Sequence, residues 1–327
     1  MEIFSSTRSY TLNGIVQTHR ELLVYNAVCK DTLQVCNVSK IIKDPLHPKP
    51  FNPFYQLQNC KHEFLVRCSD IFEDAQSYYA VFELPYGKPI SDALQQVGQM
   101  KEDRVANIVN QILSLVKYIH YKGFGLIKIN PSTVYISSSD NVTVADYSFS
   151  ASIGCNDRVK ELPEHFENLP PEFFNTGTYV ASQADIWSVG LLTYTLLTGN
   201  HPFLGNTPSY DHTEYTLKNA LSQPVRVPSY INTMPANFIQ RLLEIQPTRR
   251  FSIDQCQSHA WLAKVSRRIT KMNSFNALNT LNDNNQTFRT NGLSILANKA
   301  SPVRYNSQRM PNYRSFPDLR NPSEFDF

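Results

Sequence analysis

The chain has 327 residues, 41% of them hydrophobic, and a formal net charge of +3, which fits one large two-lobed domain or two smaller ones and does not indicate a nucleic-acid partner. The six cysteines include no Cys-x-x-Cys pair and no histidine at ligand spacing, which argues against a zinc site and a disulfide framework. No apolar run approaches the roughly 20 residues that span a bilayer, and the N-terminus does not resemble a signal peptide, so we expect a cytoplasmic or nuclear protein.

The first part of the chain is predicted to form an antiparallel β-sheet. Runs rich in β-branched and aromatic residues alternate there with polar turns, as in short strands of a half-buried sheet. These runs cover residues 11–16, 21–28, 32–41, 64–72 and 78–84. They predict about five strands.

From residue 102 onward the spacing of the apolar residues lengthens. In residues 105–123 apolar side chains recur every three or four positions and the run ends at a glycine, as in a buried helix. A second run of this kind covers residues 181–199. Strands followed by helices predict an α+β fold with a ligand cleft between a β-rich part and a helical part.

The composition changes near residue 263, where Asn, Ser and Thr become frequent and few residues could form a core. Residues 264–327 contain ten Lys and Arg against four Asp and Glu, a net +6, and we expect a disordered basic tail. The chain ends in FPDLRNPSEFDF, whose aromatic residues suit a short docking motif that orders on binding. The alternative is an inert tail.

Six segments, taken in order, resemble the sequential signature of eukaryotic-type protein kinases. They read VFELPYGKPISDAL, YIHYKGFGLIKINPSTVYI, VTVADYSFS, LPPEFF, ASQADIWSVGLLTYTLLTGNHPF and PTRRFSIDQCQSHAWL. The resemblance covers residues 10–263 and implies the bilobal kinase fold. A small β-rich N-lobe is then expected at about residues 10–86 and a larger helical C-lobe at about residues 87–263.

The resemblance implies structural roles for three residues of the C-lobe. Asp185 matches the aspartate of the helix that anchors this lobe, where it accepts hydrogen bonds from the catalytic loop. Glu172 and Arg250 match a buried ion pair of the family, in which neither partner tolerates being left alone. These positions indicate the fold and do not indicate activity.

The catalytic loop of this chain, LIKINPST, departs from the family pattern. Lys128 stands at the place of the catalytic aspartate, and an ammonium group cannot accept the proton of a substrate hydroxyl. Asn130 replaces the lysine of the loop, and Thr133 replaces the metal-binding asparagine, although Mg²⁺ prefers oxygen ligands that include carboxylates. Asp146 is the one metal ligand that remains, and it either binds a residual cation or pairs with Lys128.

The resemblance also assigns residues to the nucleotide. The nucleotide-binding positions are Val24, Asn37, Ser39, Lys40, Glu83, Pro85 and Tyr135. Ser39 takes the place of the phosphate-binding lysine, with Lys40 on the opposite face of the strand, and a shift of one residue would exchange them. Pro85 lacks the N–H that would bond to adenine, and Tyr135 places a ring where the family usually has an aliphatic side chain.

Two further departures concern phosphate recognition. The three glycines of the phosphate loop are replaced by Gln17, His19 and Leu22, so the backbone cannot approach phosphates as closely as in the family. Ile127 stands at the arginine that receives a phosphate of the activation segment, and an aliphatic side chain offers no charge-assisted hydrogen bond. We therefore expect residues 146–172 not to be switched by phosphorylation in the usual way.

These departures predict a pseudokinase, a kinase fold that serves as a scaffold or allosteric partner for other proteins, among them an active kinase or a scaffold protein. One alternative is a weakly active or unconventional ATP-dependent protein serine/threonine kinase that recruits a displaced lysine and works through Asp146. Another is a nucleotide sensor that binds ATP without metal. No cofactor is expected for the pseudokinase, and ATP with Mg²⁺ is expected for an active enzyme.

Overall fold

A computed structural model of the chain describes residues 1–19, 22–44, 54–55, 60–125, 129–145, 156–160, 168–204 and 218–263. By its contacts the chain divides into Met1–Lys271 and Met272–Phe327, and every described residue belongs to the first of these units. The predicted tail at 264–327 lies outside the described residues. The same holds for residues 126–128 of the catalytic loop and for residues 146–155.

The first part of the chain forms a six-stranded antiparallel sheet with the order β1-β2-β3-β4-β6-β5. Its strands are β1 Glu2–Phe4, β2 Ser9–His19, β3 Leu22–Cys29, β4 Val35–Ile42, β5 Cys68–Glu73 and β6 Ser77–Glu83. Five of the six correspond to predicted strands, which confirms the predicted sheet. The sixth, β1, precedes residue 10 and was not predicted.

The two faces of this sheet are buried in different ways. One face forms a small core of its own from Ile3, Tyr10, Leu12, Ala27, Cys29, Cys36, Val38, Tyr79 and Val81. The opposite face, with Leu22, Val24, Ala80 and Phe82, belongs to the main core that the helices share. Because side chains alternate along a strand, consecutive residues of β4 lie on opposite faces of the sheet. We call the face toward the main core the inner face.

The second part of the chain is mainly helical. Its helices are α1 Ile90–Val97, α2 Glu102–Tyr121, α3 Pro171–Thr176, α4 Ala181–Thr198, α5 Thr233–Leu242 and α6 Ile253–Ser258. Short strands β7 Lys88–Pro89, β8 Val134–Ile136 and β9 Val142–Val144 form one small sheet, and β10 Arg158–Val159 pairs with β11 Tyr179–Val180.

Helices α2 and α4 confirm the two predicted helices, and the order of strands and helices confirms the α+β class. Fifteen of the 18 residues of α4 are buried, because this helix is apolar on all sides and lies in the centre of the helical part. Among the helices of the described residues, none is both long enough and apolar enough to cross a membrane.

The unpredicted strand β1 leads to the first testable expectation. Ile3 is 5% exposed and packs into the small core, whereas its neighbour Phe4 is 66% exposed. Replacing Ile3 by Ala should lower the free energy of unfolding by about 2–4 kcal/mol, because the substitution leaves a cavity. Replacing Phe4 by Ala should change it by less than about 0.5 kcal/mol. Urea denaturation of both variants measures the difference, and equal losses would show that β1 does not close this core.

Candidate functional site

The sheet and the helices are joined by residues 84–87, where the family places its adenine-binding hinge. Strand β6 ends at Glu83, whose N–H donates to the carbonyl oxygen of Arg67 at 2.9 Å and whose carboxylate forms an exposed ion pair with the same residue at 3.3 Å. Gly87 has φ +101°, and a Cβ on it would lie 2.2 Å from the carbonyl oxygen of Ile136. A glycine is required there, since no side chain fits between this turn and β8.

Strand β8 forms the floor opposite this connection. Pro89 pairs with Tyr135 in the β7–β8 ladder, and the half-buried Tyr135 ring packs against the main core. Burial raises the pKa of the Tyr135 phenol, and the negative charge of Asp92 raises it further. The phenol therefore stays neutral at physiological pH and adds no charge to the floor.

The inner face of the sheet presents small or apolar side chains at the predicted nucleotide positions. Val24 lies opposite Ser39, which in turn lies opposite Ala80 in β6. Val24 and Ser39 are 0% exposed and Asn37 is 7% exposed. Ser39, the predicted counterpart of the phosphate-binding lysine, is thus a fully buried hydroxyl.

Lys40 lies on the other face of the sheet. It pairs with Tyr79 in the β4–β6 register, and its Nζ lies 5.9 Å from the centre of the Tyr79 ring. Burial alone would raise the pKa of the nearby Asp74 carboxyl, but the N–H groups of Gln76 and Ser77, the Tyr79 hydroxyl and the Lys40 charge lower it. Lys40 therefore belongs to a charged cluster on the outside of the sheet.

The catalytic loop is described from residue 129, and two of its polar side chains are engaged in one turn. The Asn130 Oδ1 accepts hydrogen bonds from the N–H groups of Ser132 at 2.9 Å and Thr133 at 3.1 Å. The Thr133 hydroxyl accepts from the N–H of Asn130 at 3.1 Å and lies 3.2 Å from its carbonyl oxygen. Asn130 and Thr133 thus hold each other in place.

No group of three or more His, Cys, Asp or Glu that could hold a metal exists among the described residues. The Thr133 hydroxyl is engaged with the backbone of Asn130. The Ala145 N–H donates to the Thr133 carbonyl at 2.8 Å, which ties the end of β9 to the loop. Asp146 follows directly, but Asp146 and Lys128 lie outside the described residues, so their predicted pairing stays a prediction.

The entry to the catalytic loop is held against helix α4. Asp185 is fully buried, and its Oδ2 lies 2.7 Å from His120 Nε2 of α2. A Cβ on Gly125 would lie 2.7 Å from the Ala181 Cβ and 3.4 Å from Asp185 Oδ2. The pairing of His120 with Asp185 was not predicted, because the contact of α2 with α4 that brings the two together leaves no signal in the sequence.

Arg250 and Glu172 form a bidentate ion pair. The Arg250 Nη1 and Nη2 atoms lie 3.1 and 3.0 Å from the two carboxylate oxygens of Glu172. The same guanidinium donates to the carbonyl oxygens of Gln183 at 2.8 Å and Glu244 at 3.1 Å. The Arg250 side chain is 0% exposed and Glu172 12% exposed, and the guanidinium lies 5.0 Å from the centre of the Trp187 ring.

Comparison with known proteins shows which protein family the chain resembles. The family model of the protein kinase domain matches residues 24–262. Sperm motility kinase Z of Mus musculus is 27% identical over 209 residues, which cover 64% of this chain and 41% of that protein. The "Probable myosin light chain kinase" of Dictyostelium discoideum is 27% identical over 255 residues, which cover 75% of this chain and 64% of that protein. The chain thus spans less than two thirds of the length of either relative.

The ion pair of Glu172 yields a second expectation. Replacing Glu172 by Ala should lower the free energy of unfolding by about 3–5 kcal/mol, because it leaves the buried Arg250 charge without its partner. Replacing Glu83 by Ala, which removes an exposed partner of Arg67, should cost less than about 1 kcal/mol. Chemical denaturation gives both values. A loss below 1 kcal/mol for Glu172→Ala would mean that Arg250 is not bound to this carboxylate in solution.

Proposed function

Because the chain belongs to the protein kinase family, we propose that it has kept the fold of that family as a protein-binding scaffold or allosteric partner and has lost phosphoryl transfer. The family match and the arrangement of strands and helices confirm the predicted bilobal α+β kinase fold. The fold is thus established, and only its function is proposed.

The proposal rests mainly on which side chains of β4 lie on the inner face of the sheet. In the family a lysine on this face holds the phosphates of ATP, whereas here Ser39 lies there, fully buried, and Lys40 lies on the other face. Moving Lys40 to the inner face would require a shift of β4 by one residue, which would move every side chain of the strand to the opposite face. A displaced lysine from this strand is therefore not available to the phosphates.

The catalytic loop supports the same proposal. With Lys128 at the position of the general base, the chain lacks the carboxylate that accepts the substrate proton. With Thr133 at the place of the metal-binding asparagine and its hydroxyl bonded to the Asn130 backbone, the loop offers a poorer ligand at the second metal position. Each loss weakens the reaction at a different step, so their effects are expected to combine.

The free thiols indicate the compartment that we propose for the chain. All five cysteines among the described residues are free, which supports a reducing compartment such as the cytoplasm or nucleus.

The partner is expected to be another protein, an active kinase or a scaffold. The aromatic end of the tail is the segment we propose for docking, and removal of residues 321–327 should then change the set of proteins captured in a pull-down.

The catalytic part of the proposal has a direct test. The purified chain with radiolabelled ATP and Mg²⁺ should transfer no detectable phosphate to itself or to a generic protein substrate, because loss of the general base alone costs about 10²–10⁴-fold in rate. The control is Asp146→Ala, which should leave that background unchanged. Stoichiometric transfer that disappears in Asp146→Ala would establish an unconventional kinase and overturn the proposal.

Nucleotide binding is tested separately with Lys40. Thermal unfolding of the chain should be unaffected by ATP with Mg²⁺, since no cation of β4 faces the phosphates, and Lys40→Ala should give the same result. Lys117→Ala is the control, because this exposed lysine of α2 lies in the helical part and pairs with Asp254 at 2.8 Å. Stabilisation by ATP that requires Lys40 but not Lys117 would favour the displaced-lysine kinase, and stabilisation by ATP alone would favour the nucleotide sensor.

A further inference from the structure

A cavity of about 380 Å³ lies beside the β10–β11 ladder, between helix α3 and the start of α4. It is lined by Arg158, Glu172, Thr176, Thr178 and Thr248, among others. None of these residues belongs to the nucleotide cleft or the catalytic loop. The cavity therefore has no role in the function proposed above.

The charge in this cavity is unbalanced. Glu172 contributes a carboxylate, but both of its oxygens are bound by Arg250. Arg158 is exposed, and within the described ranges no carboxylate forms an ion pair with it. Its one hydrogen bond there is long, from Nη1 to the Thr178 Oγ1 at 3.4 Å. Among the described residues, this guanidinium thus donates one long hydrogen bond and forms no ion pair.

The hydroxyl that Arg158 faces is surrounded by hydrogen-bonding groups. The Thr176 Oγ1 lies 3.4 Å from the Thr178 Oγ1 and accepts from the Thr178 N–H at 3.4 Å. Thr178 itself is half-buried, but residues 175–177 directly before it are exposed. A modifying enzyme can therefore reach this turn, and the cavity offers room for the added group.

We propose that Thr178 is a phosphorylation site whose phosphate is held by Arg158. A separate serine/threonine protein kinase would supply the group from ATP. The Thr178 Oγ forms a bond to the γ-phosphorus, the bond between that phosphorus and the β–γ bridging oxygen breaks, ADP leaves, and the hydroxyl proton passes to the base of that kinase.

The geometry explains why the phosphate would bind where it forms. A phosphate on Thr178 carries three acceptor oxygens and about −1.5 to −2 charges, and it would sit within reach of the guanidinium without movement of the backbone. Arginine binds phosphate through two parallel N–H donors. The new contact would tie β10 to the turn between α3 and α4, where the β10–β11 ladder pairs two residues of each strand.

This site is distinct from the usual switch of the family. Thr178 lies outside residues 146–172, and its receiver is Arg158, in place of the arginine whose position is taken by Ile127. The chain would thus respond to phosphorylation through a different pair of residues, whether or not it transfers phosphate itself.

The contact is tested with phosphothreonine encoded at position 178 of the full chain. The ³¹P titration should place the second pKa of the phosphate below its ordinary value of about 6, because the Arg158 charge favours the dianion. The Arg158→Gln variant should return it to that value. Phosphothreonine encoded at position 32, an exposed residue of the turn between β3 and β4, is the control and should not respond to Arg158→Gln. A pKa at position 178 that is the same with and without Arg158 overturns the proposal.

The modification itself is tested by expressing the full chain in eukaryotic cells with phosphatases inhibited. Mass spectrometry should assign a phosphate to Thr178, and the phosphopeptide should disappear in Thr178→Val. The phosphorylated protein should melt about 2 °C higher than the dephosphorylated one, and this difference should vanish in Arg158→Gln. Absence of phosphate at Thr178 when other sites in the chain are occupied would sink the idea.

Discussion

The buried guanidinium of Arg250 is the contact on which the helical part of this protein depends. A charge removed from water is tolerated only when its donors are satisfied, and here they reach Glu172, the Gln183 carbonyl and the Glu244 carbonyl. These partners come from helix α3, the first turns of helix α4 and the segment after helix α5. None of the three elements can move away without leaving the charge unpaired, so one residue fixes their mutual arrangement.

That constraint uses none of the residues predicted to bind nucleotide, so the packing of the helical part does not depend on them. On the inner face of the sheet, Val24 keeps an apolar side chain, while Asn37 and Ser39 are small buried polar groups that fit the packing. In the catalytic loop, Asn130 and Thr133 bind each other's backbone and thereby stabilise the turn. These side chains thus contribute packing and hydrogen bonds to the fold, whatever their part in the proposed function.

The elements that the sequence predicted well are long. Helix α2 extends over 20 residues, which is enough for its spacing of apolar residues to be recognised. Helix α4 is apolar on all sides and was recognised as a run of 18 mostly apolar residues closed by Gly199. Strand β1 could not be predicted, because three residues with one buried side chain, Ile3, show no alternation. It exists only because Glu2–Phe4 pairs with the beginning of β2, and such a pairing leaves no mark in the local sequence.

The sequence by itself determined the family and the α+β class, because motif order and spacing are properties of the chain alone. It left open whether Ser39 or Lys40 faces the cleft. Only the tertiary structure decided this, since the face is set by the register of β4 with β3 and β6, and their residues lie far apart in the chain. The contact of Arg158 with Thr178 arose in the same way. It depends on the pairing of two short strands on either side of α3, which no local pattern records.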